Sequence, residues 1–164
     1  MSKIKFSAVP PEKSLVTKDF ENYNYCDLFT VETKLDDTVD NITSKIFKLP
    51  GWIVFLLVLR NSIVKIFGLK TGGKKDLQFL DYYPVGSRAV VFTVINRNEN
   101  EIVMAENDKH LNFRASVLLE KDSEKTLVHL TTLVKFNNFG GKLYFTIIKP
   151  FHKVIIKSVL KRII

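Results

Sequence analysis

The sequence predicts an α+β fold in which a curved antiparallel sheet wraps around a long C-terminal helix. Apolar residues alternate with period two along several closely spaced segments between residues 77 and 136. Short polar turns separate these segments, as is typical of an antiparallel meander. The last segment, Leu143 to Leu160, has its apolar residues at helical spacing instead.

The chain of 164 residues fits one domain and is long enough to bury a substantial core. Its composition, 46% hydrophobic and 26% charged, excludes a disordered protein, and thirteen phenylalanines indicate a bulky core or an apolar cavity. We divide it into an N-terminal arm, residues 1–22, and a single domain, residues 23–164. The lone cysteine, Cys26, excludes an intrachain disulfide and is expected to be a buried strand residue. Without an apolar signal-peptide core near the N-terminus, we expect a cytoplasmic protein.

The net charge of +8 is concentrated in two segments. Residues 60–75 contain five basic residues and no acid, and residues 142–164 contain six and no acid. Lysines outnumber arginines, and the chain has no RNP, zinc-finger or helix-turn-helix motif. A nucleic-acid partner is therefore not expected.

The first half of the domain is predicted to contain one strand followed by two helices. The strand, Tyr23–Thr33, is rich in aromatic and β-branched residues. The first helix begins at a cap, Asp37 or Thr38, and ends by Pro50. The second helix, Gly51–Lys70, has an apolar run of eight residues, which is far below the ~20 residues that span a bilayer. We therefore expect it to belong to a soluble core.

The second half is predicted to be the meander. Its candidate strands are a short one near Leu77–Tyr83, then Arg88–Asn96, Glu101–Asn107, His110–Glu120 and Lys125–Phe136.

The final helix is predicted to be mostly buried. Its apolar side chains cover an arc of roughly 200°, whereas Lys149, Lys153 and Lys157 form one narrow ridge that should face water. Pro150 is expected to kink this helix. In the alternative, residues 143–149 form a last strand and Pro150 opens a shorter helix.

Three blocks of the sequence resemble a bacterial domain family of unknown function that is grouped with the START-like, polyketide-cyclase-like (SRPBCC) superfamily. They are "LPGWIVFLLVLRNSIVKIFGLK", "AENDKHLNFRASVLLE" and "GGKLYFTIIKPFHKVIIKSVLKRII". The matching residues are Trp52, Leu59-Arg60-Asn61, Gly68-Leu69, Asp108, His110-Leu111, Asn112-Phe113-Arg114, Ser116, Leu143-Tyr144 and Pro150-Phe151-His152. The resemblance implies a helix-grip fold with an internal cavity, in a superfamily of lipid and apolar-ligand binders and some enzymes. It implies no catalytic roles, because the family has no established reaction.

Polar residues on the predicted strands allow two interpretations. His110, Asn112 and Arg114 point to one side of their strand, opposite Phe113. They form either a binding patch, in which Arg114 holds a carboxylate or phosphate, or the solvated convex face of the sheet, which we favour. Asp108 and His110 form either an acid–base pair or, more simply, a turn ion pair. His152 either caps a cavity or finds a partner at the edge of the core.

We therefore predict a protein that binds a small apolar or amphipathic, lipid-like ligand between the sheet and the C-terminal helix. One alternative is a cyclase, hydrolase or isomerase that uses the same cavity, and another is a membrane-surface or partner-binding protein that uses the lysine ridge. No nucleophile elbow, metal-ligand spacing or phosphate loop occurs, so we expect neither metal nor cofactor. The candidate ligand-binding residues are Trp52, Leu56, Phe113, Arg114, Tyr144, Ile148 and Phe151.

Overall fold

A computed structural model describes residues 4–34, 36–48, 79–89 and 92–164. These ranges contain seven strands and two α-helices. The elements are β1 (Lys5–Ser7), β2 (Tyr25–Thr33), α1 (Val39–Phe47), β3 (Arg88–Ala89), β4 (Phe92–Arg97), β5 (Glu101–Asn107), β6 (Leu111–Lys121), β7 (Thr126–Phe136) and α2 (Phe139–Leu160). The predicted second helix, with Trp52 and Leu56, lies outside the described residues.

The strands form one antiparallel sheet in the order β1-β2-β7-β6-β5-β4-β3. The meander from β4 to β7 and the long C-terminal helix confirm the predicted α+β helix-grip architecture. Strand β2 belongs to the first half of the chain and pairs with β7, the last strand. Strand β1 lies within the predicted N-terminal arm and adds an edge to the sheet.

Two of the predicted strands are wrong. Residues 79–83, expected to end a short strand, form no strand, and the Tyr83 amide donates to Asp40 Oδ1 at 2.8 Å. Because that amide is held by a side chain of α1, it is not available to a strand ladder. The single strand expected over Arg88–Asn96 is instead two antiparallel strands, with Ala89 opposite Phe92.

The first helix agrees with its prediction. Thr38 is its N-cap and accepts a hydrogen bond from the Asn41 amide at 3.2 Å. Ile42 and Ile46 are fully buried in the main core. Asp40 forms a bidentate ion pair with Arg97, at 2.8 and 2.9 Å, which ties α1 to β4.

The sheet has two different faces. The helix face, defined by Asp27, Phe29, Phe113 and Val117, carries the main core beneath α1 and the end of α2. The outer face, defined by the opposite side chains of the same strands, is covered in part by residues 14–20. There, buried Glu101 accepts hydrogen bonds from Ser14, Leu15 and Ser116, which fastens the N-terminal segment to the sheet.

The C-terminal helix runs without interruption through Pro150, so the alternative of a last strand over residues 143–149 is wrong. Asn138 caps it by accepting from the Gly141 amide at 3.0 Å. Within the described part of the chain, no helix meets the length and hydropathy needed to cross a membrane.

The orientation of α2 differs from the prediction. Leu143, Ile147, Phe151 and Val154, which were expected to be buried, are exposed. Two lysines of the ridge are half-buried instead: Lys149 Nζ lies 4.9 Å from the Tyr25 ring centre, and Lys153 Nζ lies 4.8 Å from that of Phe6.

The physical reason lies at the start of α2. Gly141 is buried against the backbone carbonyl of His110, so closely that a Cβ at this position would overlap the oxygen. Phe145, one turn later, packs against Tyr25 and Phe136. These two contacts set the rotation of α2 and turn part of its apolar arc away from the sheet.

Candidate functional site between the sheet and the C-terminal helix

A carboxylate is buried in the middle of strand β2. Period-two alternation places Asp27 on the helix face, between Tyr25 and Phe29. Its Oδ2 accepts a hydrogen bond from the Tyr25 hydroxyl at 2.8 Å. Burial of a carboxylate in an apolar layer is costly without full pairing, so the surroundings of Asp27 are informative.

A histidine from α2 meets this carboxylate. His152 Nε2 lies 3.2 Å from Asp27 Oδ2, and the two side chains are 15% and 0% exposed. His152 follows Phe145 by two helical turns and therefore shares its sheet-facing side. Of the two interpretations of His152, the partner at the edge of the core is the one that the structure shows.

The pairing of these groups is incomplete. Within the described ranges, Asp27 Oδ1 is buried without a hydrogen-bond partner. His152 Nε2 is close enough to Asp27 for an ion pair but is not aligned for a hydrogen bond. Leaving a buried polar group unpaired costs about 1–3 kcal/mol, so such groups in a folded protein call for an explanation.

Aromatic side chains lie beside the polar groups. The Phe113 ring stacks on that of Phe92, with centroids 5.1 Å apart and planes at 14°. The His152 and Phe113 rings are nearly perpendicular, with their centroids 6.3 Å apart. Phe92 and Phe113 are only partly buried, and Ile155 and Ile156 of α2 pack against the same core. The Asp27–His152 pair thus adjoins an apolar lining that the described residues do not cover completely.

The charge of Asp27 affects its neighbours. Burial, the hydrogen bond to Asp27 and the nearby negative charge raise the pKa of the Tyr25 phenol well above its ordinary value. Tyr25 therefore stays a hydrogen-bond donor at neutral pH. Burial and then Asp27 raise the pKa of the Cys26 thiol to about 11. Cys26 is a buried strand residue, as expected, and its thiol is not activated as a nucleophile.

The structure separates the residues that the sequence grouped as ligand-binding candidates. Phe113 lies in the aromatic lining, and Tyr144 and Ile148 are half-buried on α2. Phe151 is exposed.

Arg114 lies on the outer face, separated from Phe113 by the sheet. Its Nη1 donates to Asn107 Oδ1 at 2.7 Å, and its guanidinium lies 4.5 Å from the Phe20 ring centre. Burial lowers its pKa. His110 Nδ1 is 3.0 Å from Asn138 Oδ1, at the cap of α2, so this histidine helps to anchor the helix.

Sequence reasoning missed Asp27. The signal was present in "YCDLFTVET", where the carboxylate occupies an alternation position that it shares with Tyr25, Phe29 and Val31. An acid at an inward position of an apolar strand marks either a buried network or a binding site. The partner could not be seen in the sequence, because His152 is 125 residues away along the chain.

Comparison with solved structures finds, among others, the crystal structure of CalU16 from Micromonospora echinospora. That chain has 8% sequence identity and a TM-score of 0.37, and the alignment covers 99% of this chain and 96% of that one. None of the curated proteins matches the chain. A family model described as a protein of unknown function, DUF2867, matches residues 20–159. Since the match covers most of the sequence, the chain belongs to the DUF2867 family of proteins of unknown function.

Proposed function

We propose that this protein binds an amphipathic small molecule on the helix face of the sheet, beneath the middle of α2. The apolar part of the ligand contacts Phe92 and Phe113, and its polar group hydrogen-bonds to Asp27. The observation that carries the proposal is the unpartnered, buried Oδ1 of Asp27 beside a partly exposed aromatic lining. Apolar walls with a few placed polar groups are typical of small-molecule sites.

The other buried carboxylates provide an internal comparison. Both oxygens of Glu101 accept hydrogen bonds, one from Ser14 and Ser116 and the other from the Leu15 amide. Both oxygens of Asp40 accept from Arg97. Each oxygen of these two structural carboxylates thus has a hydrogen-bond partner. Among the described residues, Asp27 Oδ1 has none.

The chemistry of the polar groups limits the class of ligand. A carboxylate oxygen needs a hydrogen-bond donor, so the ligand should carry a hydroxyl or amino group. A carboxylate or phosphate would be repelled by Asp27, and Arg114 is on the other face of the sheet. The sequence blocks resemble a family that is grouped with the START-like superfamily, which includes binders of apolar ligands, and this resemblance supports an apolar ligand.

The proposal can be tested with the fluorescent amine N-phenyl-1-naphthylamine as probe. We expect saturable binding of one equivalent, with displacement by decanol or decylamine at lower concentration than by decanoate. Phe113→Ala should weaken probe binding about tenfold or more, in line with the loss of one buried aromatic contact.

The matched control is Phe139→Ala, because Phe139 is an exposed phenylalanine at the start of α2. It should bind the probe like the wild type. Equal weakening by both substitutions would indicate nonspecific surface binding and contradict the proposal, as would the absence of saturation. Thermal melting of both variants shows whether each remains folded.

A second candidate function, general acid–base catalysis, is favoured by the convergence of Asp27, His152 and Tyr25. A carboxylate beside a histidine orients the imidazole, as in many acid–base sites. His152 would then remove a proton from a bound substrate and return it. The test is NMR of apolar ketones in D₂O, which follows deuterium at the carbon next to the carbonyl. Equal incorporation with wild type and His152→Gln would exclude this function for those substrates.

A further inference from the structure

We propose that the outward face of α2 docks on an anionic lipid surface. The contact is an apolar stripe, which we call the α2 stripe, beside a line of lysines. Its five residues recur at intervals of four and three, which places them on one side of the helix. They are Phe139, Leu143, Ile147, Phe151 and Val154, with exposures of 77%, 46%, 51%, 52% and 56%.

The α2 stripe is larger than an ordinary scatter of exposed apolar residues. Five large side chains, each about half exposed or more, present roughly 400–500 Å² of apolar surface. At 1.5 Å per residue, the positions from Phe139 to Val154 extend about 22 Å along the helix. Because the five residues lie along one side of a single continuous helix, this side can lie flat against a planar partner. The largest apolar patch on a soluble monomer is about 300–600 Å², and such a patch is often functional.

The charged side chains of α2 itself are all of one sign. Residues 125–164 contain no acid. Lys142, Lys149 and Lys153 lie along one edge of the α2 stripe, and Lys157 and Lys161 extend the line of Phe139 and Leu143 toward the C-terminus. Lys142, Lys157 and Lys161 are exposed. The surface therefore combines apolar contact with positive charge, which is complementary to acyl chains beneath anionic headgroups.

Other partners fit this surface less well. A nucleic acid would use the lysines but would leave the apolar stripe in water, since its own surface is charged. Lysine also suits a lipid surface in particular, because its flexible stem covers apolar area while its ammonium reaches the headgroups. A peripheral contact of this kind would place a lipid surface beside the helix that bounds the proposed ligand site.

Vesicle flotation of the full chain tests the proposal. Vesicles of phosphatidylcholine alone are compared with vesicles containing about 30% phosphatidylglycerol, at about 0.1 M salt. The stripe variant is Leu143→Gln/Ile147→Gln. The control is Val9→Gln/Val85→Gln, which changes two exposed apolar residues outside α2. Neither pair of substituted residues belongs to the proposed ligand lining. Loss of vesicle binding can therefore be distinguished from loss of binding of the fluorescent amine.

We expect the wild type to float with the anionic vesicles and much less with the neutral ones. The bound fraction of the stripe variant should be at least fivefold lower than that of the wild type. The bound fraction of the control should equal that of the wild type. Lys157→Gln/Lys161→Gln should also lower the bound fraction. Absence of wild-type binding would overturn the proposal, and so would equal loss in stripe variant and control. Full retention by the stripe variant, with equally tight binding to duplex DNA, would identify a general polyanion surface and overturn it as well.

Discussion

His152 Nε2 lies 3.2 Å from the buried Asp27 Oδ2, across the boundary between the C-terminal helix and the sheet. This contact joins two elements that are far apart in sequence, and it occurs where the aromatic lining is only partly covered by the described residues. Its effect on stability and on binding can be separated, because each partner has a substitute of nearly the same shape.

Asp27→Asn should weaken the binding of amines more than that of alcohols. The amide keeps the size of the carboxylate but loses its charge, so it can still accept from a hydroxyl but no longer attracts an ammonium. Displacement of N-phenyl-1-naphthylamine by decylamine and by decanol measures the two affinities. An unchanged ratio between them would show that Asp27 does not contact the ligand.

Gly141→Ala should destabilise the protein. Its Cβ would overlap the His110 carbonyl oxygen, and overpacking of this kind costs about 1–3 kcal/mol. The matched control is Gly140→Ala, whose Cβ would meet side-chain atoms of Asn138 and His110 at 3.2 and 3.3 Å. These side-chain atoms can move more easily than backbone, and alanine favours the helix. Urea unfolding should therefore show the larger loss at position 141, and equal losses would contradict this account of the helix rotation.

The Asp40–Arg97 ion pair should behave as a coupled unit. The Asp40 carboxylate accepts two hydrogen bonds from the Arg97 guanidinium, and these bonds raise the pKa of Arg97. Removing one partner of a buried pair leaves the other uncompensated and costs about 3–5 kcal/mol. Arg97→Met and Asp40→Leu should each destabilise strongly, whereas the double variant should lose less than the two losses combined. A double-mutant cycle in urea measures this coupling, and additive losses would show that the two side chains act independently.

Alkaline pH should destabilise the fold through β2. Burial raises the pKa of Cys26 from 9.0 to about 11 and raises that of Tyr25. Both groups hold their protons more tightly in the folded state, so their contribution is complete below the unfolded pKa and is lost as pH rises through the folded one. The free energy of unfolding should therefore fall between about pH 9 and 11 for Cys26 and from about pH 10 upward for Tyr25. Urea unfolding of wild type and Cys26→Ala across this range tests it, since the variant should lose the earlier part of the decrease.

The lysine ridge should contribute unequally to stability. Lys149 and Lys153 lie over the rings of Tyr25 and Phe6, contacts that are each worth about 0.5–1 kcal/mol. Lys157 is exposed, and among the described residues it has no contact with an aromatic ring. Glutamine at Lys149 or Lys153 should lower the melting temperature slightly, and glutamine at Lys157 should not.

A chain that ends at Phe139 should not melt cooperatively, because it lacks buried Val159, Leu160 and Ile163.

Local pattern was sufficient for most of the meander. The strands predicted over Glu101–Asn107 and Lys125–Phe136 match β5 and β7 to within one residue, because alternation and polar turns are local properties. The prediction failed at residues 79–83, where the amide of Tyr83 hydrogen-bonds to Asp40 from an earlier helix. No local pattern reveals a bond of that kind.

By itself, the sequence determined the α+β helix-grip architecture, most strands of the meander and the presence of an apolar, lysine-rich C-terminal helix. Only the tertiary structure decided which side of that helix meets the sheet. Helical periodicity describes an apolar arc but does not say which part of it is covered, and here the contacts of Gly141 and Phe145 set the rotation. The same rotation brought His152 to Asp27 and left the α2 stripe exposed. Both candidate surfaces therefore depend on the packing at the start of α2, where Gly141 meets His110 and Phe145 meets Tyr25 and Phe136.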